Sequence, residues 1–352
     1  MAKTKGIFFN NHDLYQDKIK KIMDNANSKK KIRLDCLKLG VPADKAYEVA
    51  TAKDGYDFLI HRNEHGALFK GKNLKKIAVD DIPLLSFDFG YFSHYNSYMV
   101  DFYLRDMSSS INIEWENLPE DVDWSFAPDY IQEYRNKSLE SVKSFANHDI
   151  DGADLKKTVT IWMQWNTGLL RNDLFVDGKK IPQYEWINLI AEKIRKCGFT
   201  PIVKMNIVDH SEIYNGTSPF VDKEILMVCD KEKVLKSNPR AVFDKDANHK
   251  LIANSNYHVI LCSSVSNEIV LNEKPVIATG KSWFNGLDIF YEPKSWSDGF
   301  LKPEINFAAR NKWINWWLSR QSKLEDSDEK ILEVFGKAKS FLTRNPIIDF
   351  SI

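Results

Sequence analysis

The feature that most constrains the fold is an alternation of short apolar segments with segments of helical periodicity. Thr158–Met163, Phe199–Val203 and Tyr257–Cys262 are nearly continuous apolar runs rich in β-branched and aromatic residues. Between the first two, Pro182–Gly198 has apolar residues three and four positions apart. Because strands that are apolar on both faces must be covered on both faces, the pattern predicts parallel sheets flanked by helices, and hence an α/β fold.

The same alternation extends along the rest of the chain. It predicts further strands at Gly6–Phe9, Ile32–Cys36, Asp57–Ile60, Lys76–Val79, Pro83–Phe87, Glu224–Val228, Ala241–Phe243, Pro275–Ala278 and Leu287–Tyr291. It also predicts helices at Asp13–Asp24, Ala43–Ala50, Asp129–Phe145, Pro303–Arg320 and Ser327–Thr343. Gly198 is expected to end the helix that begins at Pro182.

The length of the chain favours two domains, because 352 residues exceed one ordinary core and suit two domains of about 150 residues each. A polar, turn-rich segment at Asn147–Gly152 predicts the linker between them. We therefore expect an N-terminal domain at 1–150, a second domain at 151–302, and C-terminal helices at 303–352 that pack across both.

Charge and cysteine content limit the partners and the compartment. Basic and acidic residues both number 49, so a polyanion such as DNA would need a local basic groove, drawn from Lys18–Lys31 or from Lys70, Lys72, Lys75 and Lys76. The sequence shows neither a secretory signal nor an apolar stretch long enough to span a bilayer. The four cysteines lie far apart without metal-ligand spacing, so we expect buried thiols in a cytoplasmic protein.

Several common enzyme classes are disfavoured by missing motifs. Gly280-Lys281-Ser282 has the end of a phosphate-binding P-loop, but the glycine required five positions earlier is Pro275. The dehydrogenase, zinc-protease, serine-hydrolase and kinase signatures are also missing. Asp121-Val-Asp123 has the spacing of a metal-binding pair but lies in an acidic, turn-like segment, so no metal ion is expected.

The segment Tyr257–Gly280 is the strongest candidate for binding a ligand. An apolar strand ends at Ser263 and Ser264, a short helix follows at once, and a second strand begins at Pro275. Backbone N–H groups at the start of the helix, together with the two hydroxyls, favour a diphosphate, and Glu268 is placed to accept hydrogen bonds from ribose hydroxyls. The structural alternative is that the serines cap the helix and Glu268 is a solvated first-turn carboxylate.

This order of strand, Ser-Ser, Glu, short helix, Lys274-Pro275-Val-Ile and Gly280 resembles the nucleotide-sugar half of GT-B glycosyltransferases. The likeness is to the capsular-polysaccharide type and to phage-encoded, DNA-modifying enzymes. It implies two Rossmann-like domains with C-terminal helices crossing back to the first, a nucleotide-sugar donor, most plausibly a UDP-sugar, and no required cofactor or metal. The expected donor-binding residues are Gln164, Asn166, Thr167, Gly168, Lys204, Ser263, Ser264, Ser266, Glu268, Gly280 and Lys281.

One of these positions departs from the family. Where the resembling group has an Arg-Pro-His-Pro loop, this chain has Lys204-Met-Asn-Ile, so the planar fork of arginine is replaced by a point charge. A surface lysine without a phosphate role is the alternative.

In the first half, the apolar strand Pro83–Phe87 is followed by Asp88 and Gly90, which permits a tight turn. Transfer to a hydroxyl needs a base, for which Asp88 is the first candidate and His94 the second. His61, Arg62, His65 and Tyr91 are expected on the acceptor side. Each of these residues also has a purely structural interpretation as a turn or packing residue, and the cluster of Trp313, Trp316 and Trp317 is expected to pack in the interior rather than bind sugar.

Three functions follow from these features. The first is a glycosyltransferase whose acceptor is a hydroxymethylated base in phage DNA, with the protein in the host cytoplasm. The second is the same chemistry on a capsular or other cell-surface polysaccharide. The third is a protein of the same fold that binds a nucleotide-sugar without catalysis. The sequence sets no oligomeric state.

Overall fold

A computed structural model describes most of the chain. The described residues are 4–9, 16–29, 31–36, 55–62, 76–78, 83–88, 97–105, 108–163, 175–176, 179–181, 183–205, 222, 224–232, 241–261, 263, 265–279, 286–293, 304–344 and 347–349.

The chain forms two compact units, and the first is discontinuous in sequence. It combines Met1–Pro119 with Lys312–Ile352, whereas the second is the continuous segment Glu120–Asn311. The predicted boundary at residue 150 therefore differs from the structure. The expected linker, Asn147–Gly152, lies within the second unit, and so does the preceding helix, Asp129–Ser144, whose Tyr130, Ile131 and Val142 are buried because an apolar helix face is stabilised by packing.

The first unit contains a mixed sheet with helices. Its strands are β1 (Thr4–Phe9), β2 (Ile32–Cys36), β3 (Phe58–Arg62), β4 (Lys76–Ala78), β5 (Leu84–Asp88), β6 (Ser97–Arg105), β7 (Ser108–Ser109), β16 (Gln321–Lys323) and β17 (Ile347–Asp349). Its helices are α1 (Gln16–Ser28), α2 (Ser110–Glu114) and α8 (Ser327–Arg344). The main sheet has the order β16-β6-β5-β3-β1-β2, in which β2, β1, β3 and β5 are parallel, and β4 pairs separately with β17.

The core of the first unit joins strands from the N-terminal segment to the C-terminal helix. Phe8 and Phe87 meet edge to face at 5.2 Å, and Phe58 lies 5.0 Å from Phe335 of α8. Gly6 is required in β1, since a Cβ there would lie 2.3 Å from the Phe58 ring. The apolar face of α8 therefore completes a core that the first 119 residues begin.

The second unit contains a six-stranded parallel sheet. Its strands are β8 (Thr158–Trp162), β11 (Thr200–Lys204), β12 (Leu226–Cys229), β13 (Ala241–Phe243), β14 (Tyr257–Ile260) and β15 (Val276–Ala278), with a separate hairpin of β9 (Phe175–Val176) and β10 (Lys179–Lys180). Its helices are α3 (Asp129–Ser144), α4 (Gln183–Lys196), α5 (Ala247–Asn254) and α6 (Ser266–Leu271); α7 (Phe307–Ser319) begins in this unit and ends in the first. The spatial order of the sheet is β13-β12-β11-β8-β14-β15.

Helix α4 packs on one face of this sheet. Trp186, Ile190 and Ile194 are fully buried against Val159 and Val259. The helix ends as predicted at Gly198, whose φ of 82° is the left-handed value that glycine adopts without strain.

The C-terminal segment is tied to the first unit by a buried polar network. Arg320 donates to Asp101 Oδ1 at 3.0 Å, to Glu114 Oε2 at 2.6 Å and to Ser110 Oγ at 2.7 Å. Trp316 Nε1 also donates to Ser110 Oγ at 2.7 Å. Trp313, Trp316 and Trp317 are all buried, as expected for packing residues rather than a sugar platform.

These observations confirm the predicted fold class: two Rossmann-like α/β domains with C-terminal helices that return to the first. Two local predictions were wrong. The expected strand at Leu287–Tyr291 is mostly a turn with a single bridge from Tyr291 to Ile277, because Gly286 and Asp288 have positive φ. The second concerns the thiols, which were expected to be buried: Cys36 and Cys197 are exposed, whereas Cys229 is buried. The helix predicted at Ala43–Ala50 lies outside the described residues.

Candidate functional site

The strand order of the second unit's sheet reverses between β8 and β14. From β8 the chain adds β11, β12 and β13 on one side, then returns to place β14 and β15 on the other. In open parallel sheets, ligands bind in the crevice beyond the carboxyl ends of the strands at such a reversal. The segments that follow β8 and β14 therefore define the candidate site, and both were singled out from the sequence.

The connection from β14 to α6 passes along this crevice. Ser263 is half-buried; its carbonyl accepts from Ser266 N–H at 3.1 Å, and its hydroxyl lies 3.5 Å from Val265 N. Val265, the residue at the start of α6, offers no side-chain cap, whereas Ser266 is buried. The turn therefore places Ser263 at the crevice, while the Ser266 side chain packs inside.

Lys204 ends β11 at the same edge, but its amine is engaged by protein groups. Nζ lies 3.0 Å from Asp230 Oδ1 and donates to the Met205 carbonyl at 2.9 Å. Burial lowers the pKa of Lys204, and the carboxylate of Asp230 opposes that shift. In this arrangement the lysine forms a buried ion pair beside the crevice.

Glu268 lies in a polar contact between three helices. Its Oε1 accepts from Ser138 Oγ of α3 at 3.4 Å and lies 3.3 Å from His249 Nε2 of α5. Asn272 Nδ2, one turn later in α6, donates to the same Ser138 hydroxyl at 2.9 Å. The hydrogen bond to Glu268 raises the pKa of His249. Glu268 is therefore buried and bonded to the protein, unlike the solvated carboxylate of the structural alternative.

The end of β15 is fixed by a tryptophan. Thr279 Oγ1 accepts from Trp186 Nε1 at 3.0 Å and donates to the Ile260 carbonyl at 3.1 Å. This joins the ends of β14 and β15 to α4, immediately before the Gly280-Lys281 pair predicted to contact phosphate.

In the first unit, two predicted acceptor-side residues and the predicted base end neighbouring parallel strands. His61 and Arg62 are the last residues of β3, and Asp88 is the last residue of β5. The register pairs Arg62 with Phe87, so Arg62 and Asp88 lie at the same edge of the sheet.

The remaining predicted positions lie outside the described residues: His65, Tyr91, His94, Gln164, Asn166, Thr167, Gly168, Ser264, Gly280 and Lys281. Sequence reasoning missed Asp230, His249 and Thr279. Asp230 follows an apolar strand just as Asp88 does, and that signal was available. The pairing of His249 with Glu268 joins two helices and leaves no local sequence signal.

Two searches of the described residues bear on metals and membranes. No group of three or more His, Cys, Asp or Glu side chains lies together there in a way that could hold a metal ion. Asp123 instead accepts from the Ser125 amide at 2.9 Å, as expected for a turn. Among the same residues, no helix is both long and apolar enough to cross a bilayer.

Comparison with known proteins identifies the fold. Neither the profiles of known protein families nor the curated protein sequences give a match. Among solved structures, the chain is similar to the β-Kdo 2,7 transferase of KpsC from Thermosulfurimonas dismutans, with a TM-score of 0.51, 12% identity, and coverage of 95% of this chain and 99% of that one. The fold is therefore glycosyltransferase-like, of the two-domain Rossmann type.

Two further solved structures are similar at lower TM-scores. The β-Kdo 2,4 transferase of the same bacterial KpsC gives a TM-score of 0.47 at 11% identity, covering 89% of this chain and 90% of that one. MnaA of S. aureus, solved with UDP, gives 0.30 at 9% identity, covering 94% and 95%.

Proposed function

We propose that this chain is a glycosyltransferase that moves a sugar from a nucleotide-sugar donor to a hydroxyl acceptor. The observation that carries the proposal is the reversal of strand order between β8 and β14, with Ser263 and the start of α6 directly beyond β14. A crevice of this kind suits a diphosphate, because backbone N–H groups and a hydroxyl meet there.

The donor-binding residues that we propose follow the ends of four strands. The segment after β8 supplies Gln164, Asn166, Thr167 and Gly168, the segment after β14 supplies Ser263 and Ser264, and Gly280 with Lys281 follows β15. Lys204 is proposed to act through its charge, since Asp230 already holds its amine. Glu268 is proposed as the ribose ligand, with His249 and Ser138 orienting it.

The chemistry requires one proton to be removed from the acceptor. The acceptor oxygen attacks the anomeric carbon, the bond from that carbon to the diphosphate breaks, and the electron pair leaves with the diphosphate. We propose Asp88 as the base that takes the acceptor proton, with His94 as the second candidate. No metal is invoked, and EDTA is expected to leave turnover unchanged.

Donor binding tests the site directly. Thermal unfolding is measured with UDP, CMP, GDP and dTDP and their sugars, with UDP-sugars first; the correct nucleotide raises the unfolding temperature in a saturable way. Ser263→Ala should weaken that binding about tenfold or more, because a hydrogen bond to a charged phosphate is lost. Ser144→Ala is the matched control, since that exposed hydroxyl donates to the Ser141 carbonyl within α3. If none of these nucleotides or nucleotide-sugars raised the unfolding temperature, the result would contradict the proposal.

Turnover separates an enzyme from a binding protein. Asp88→Asn should lower sugar transfer by about 10²- to 10⁴-fold while leaving donor affinity unchanged. Saturable nucleotide binding without sugar transfer from any donor to any acceptor tried would instead indicate a binding protein of this fold.

For the acceptor we propose a carbohydrate hydroxyl rather than a modified DNA base. Part of the basic stretch that DNA would need is already neutralised: Lys29 lies 2.9 Å from Asp328, and Lys31 lies 3.0 Å from Glu329. DNA binding by phosphate contacts falls steeply with salt, whereas binding of a neutral sugar does not. Acceptor affinity that drops by orders of magnitude between about 50 and 200 mM salt would favour DNA.

A further inference from the structure

A second cluster of polar groups lies near the starts of β14 and β15 in the second unit. Its centre is Arg310 in the first part of α7, only 3% exposed. Nη2 donates to the Lys274 carbonyl, but Nε and Nη1 have no hydrogen-bond partner. Burial lowers the pKa of Arg310 to about 10, so the guanidinium is still a cation at neutral pH.

His258, the second residue of β14, adds another buried donor. Its Nδ1 accepts from Trp162 Nε1 at 3.3 Å, which places the proton of the neutral imidazole on Nε2. Nε2 is buried and has no partner. Burial, with the nearby cations Lys274 and Arg310, lowers the pKa of His258 to about 3, so the ring is neutral at physiological pH.

Both residues meet the same short segment before β15. His258 N–H donates to the Pro275 carbonyl at 3.3 Å, and Arg310 binds the adjacent carbonyl of Lys274. The amine of Lys274 donates to the Ala253 carbonyl at 3.0 Å. Lys274 and Arg310 lie close enough to His258 for their positive charges to act on its imidazole, and the carboxylate that acts on Arg310 belongs to Glu273, which is exposed.

We propose that Arg310 and His258 together bind a small monovalent inorganic anion of the size of chloride. A buried cation whose donors lack acceptors is strongly unfavourable, and a water molecule would satisfy the donors without compensating the charge. A halide does both, because it accepts several N–H groups from different directions and neutralises the guanidinium. The site is distinct from the crevice and does not depend on the proposed function.

The test is thermal unfolding of the full chain at constant ionic strength, with sodium gluconate replaced stepwise by sodium chloride or bromide. A bound anion should raise the unfolding temperature by roughly 2–4 °C in a saturable way. Arg310→Met should abolish this response, and Arg310→Lys should weaken it. Arg195→Met is the control, because Arg195 pairs with Asp222 on the surface and its loss should leave the response intact.

Two results would overturn the proposal: a wild-type chain that does not respond to chloride at constant ionic strength, or Arg310 variants that respond as the wild type does. Should Arg310→Met fail to fold, wild-type crystals soaked in bromide decide the matter by anomalous scattering. A bromide peak within hydrogen-bond reach of His258 Nε2 and Arg310 is expected, and its absence there contradicts the site.

Discussion

Arg320 is the residue on which the attachment of the C-terminal segment most depends. It is fully buried and is held by the carboxylates of Asp101 and Glu114 and by the Ser110 hydroxyl. Removing one member of a buried ion pair leaves the other charge without compensation, which typically costs about 3–5 kcal/mol. The network therefore stabilises the first unit only when all of its charged members are present.

A double-mutant cycle tests this interpretation. Arg320→Met should lower the free energy of unfolding by about 3–5 kcal/mol, because it leaves Asp101 charged and buried. Asp101→Asn in the same chain removes that charge, so the double variant should lose clearly less than the sum of the two single losses. Urea unfolding of all four proteins gives the coupling, and strict additivity would contradict a shared network.

His258 predicts how stability changes with acid. Its pKa is about 3 in the folded chain, against about 6.5 when unfolded, so between these values the unfolded chain binds one more proton. Stability should therefore fall as pH drops below about 6.5, by up to roughly 1.4 kcal/mol per pH unit from this group. Urea unfolding from pH 7 to 5 should show a shallower decline for His258→Asn than for wild type.

An equal decline in both proteins would mean that other groups account for the acid sensitivity. His249 works in the opposite direction, because its pKa is raised by Glu268. Its contribution is complete below the unfolded pKa and is lost as pH rises through the folded pKa, so it cannot mimic the effect of His258.

The sequence identified candidate ligand-binding residues but not the residues with which their side chains pair. Ser263 and Lys204 were found because they follow apolar strands, and the structure places both at the ends of parallel strands. That Lys204 pairs with Asp230, and Glu268 with His249, depends on contacts between segments distant in sequence. Such contacts depend on tertiary packing, and no local sequence pattern specifies them.

Among the helices, two glycines offer a matched pair of substitutions. Gly198 follows α4 with φ 82°, and a Cβ there would meet nothing within 4 Å. Gly198→Ala should therefore destabilise the fold by about 1 kcal/mol through backbone strain alone. Gly336→Ala, inside α8 and equally free of contacts, should stabilise by about 0.5–1 kcal/mol.

Thermal or urea unfolding of the two variants gives the answer by the sign of the change. Loss of stability in both would mean that α8 needs a glycine for a reason other than backbone conformation. Equal gains would contradict the left-handed cap at Gly198.

Strands with a simple pattern were predicted well, and those interrupted by polar residues were not. Ile32–Cys36 and Ala241–Phe243 agree with the structure residue for residue. The strand Ser97–Arg105, the longest among the described residues, was missed because Asp101 lies in its middle; that buried aspartate accepts hydrogen bonds from Arg320 and from the Ser110 amide. Its negative charge is compensated by Arg320 of the C-terminal segment, which the local sequence does not reveal.

At the scale of the whole chain, the first unit is built from two segments that lie on either side of the second unit in the sequence. A chain that stops after Ser319 lacks Arg320, β16 and α8, whose Ile331, Val334, Ala338 and Leu342 belong to the first unit's core. Hydrogen exchange should then be fast in β1 and β3, while β8 and β11 of the second unit remain protected.

A chain that stops after Arg344 is the control, because the one described element that it loses is the short strand β17, and exchange in β1 should then remain slow. Unchanged protection of β1 in the shorter chain would show that residues up to Pro119 fold without the C-terminal helix.

The fold class could be predicted from the sequence, but the order of the strands in the second unit's sheet could not. The resemblance of Tyr257–Gly280 to a known fold gave the class, and the TM-score of 0.51 to a β-Kdo transferase agrees with it. The position of the reversal between β8 and β14 follows from which strands become neighbours, and no local pattern specifies that.

The discontinuity of the first unit also sets an order of events during synthesis. Residues up to Pro119 leave the ribosome before the second unit, and the helix that covers their strands is translated after it. The second unit is one continuous segment, and all its strands are synthesised before α8. We therefore expect the nascent chain to fold from its middle outwards. Until α8 has been synthesised, Phe8 and Phe58 lack the helix that completes their core, and chaperones that bind exposed apolar strands can act on these strands during that interval.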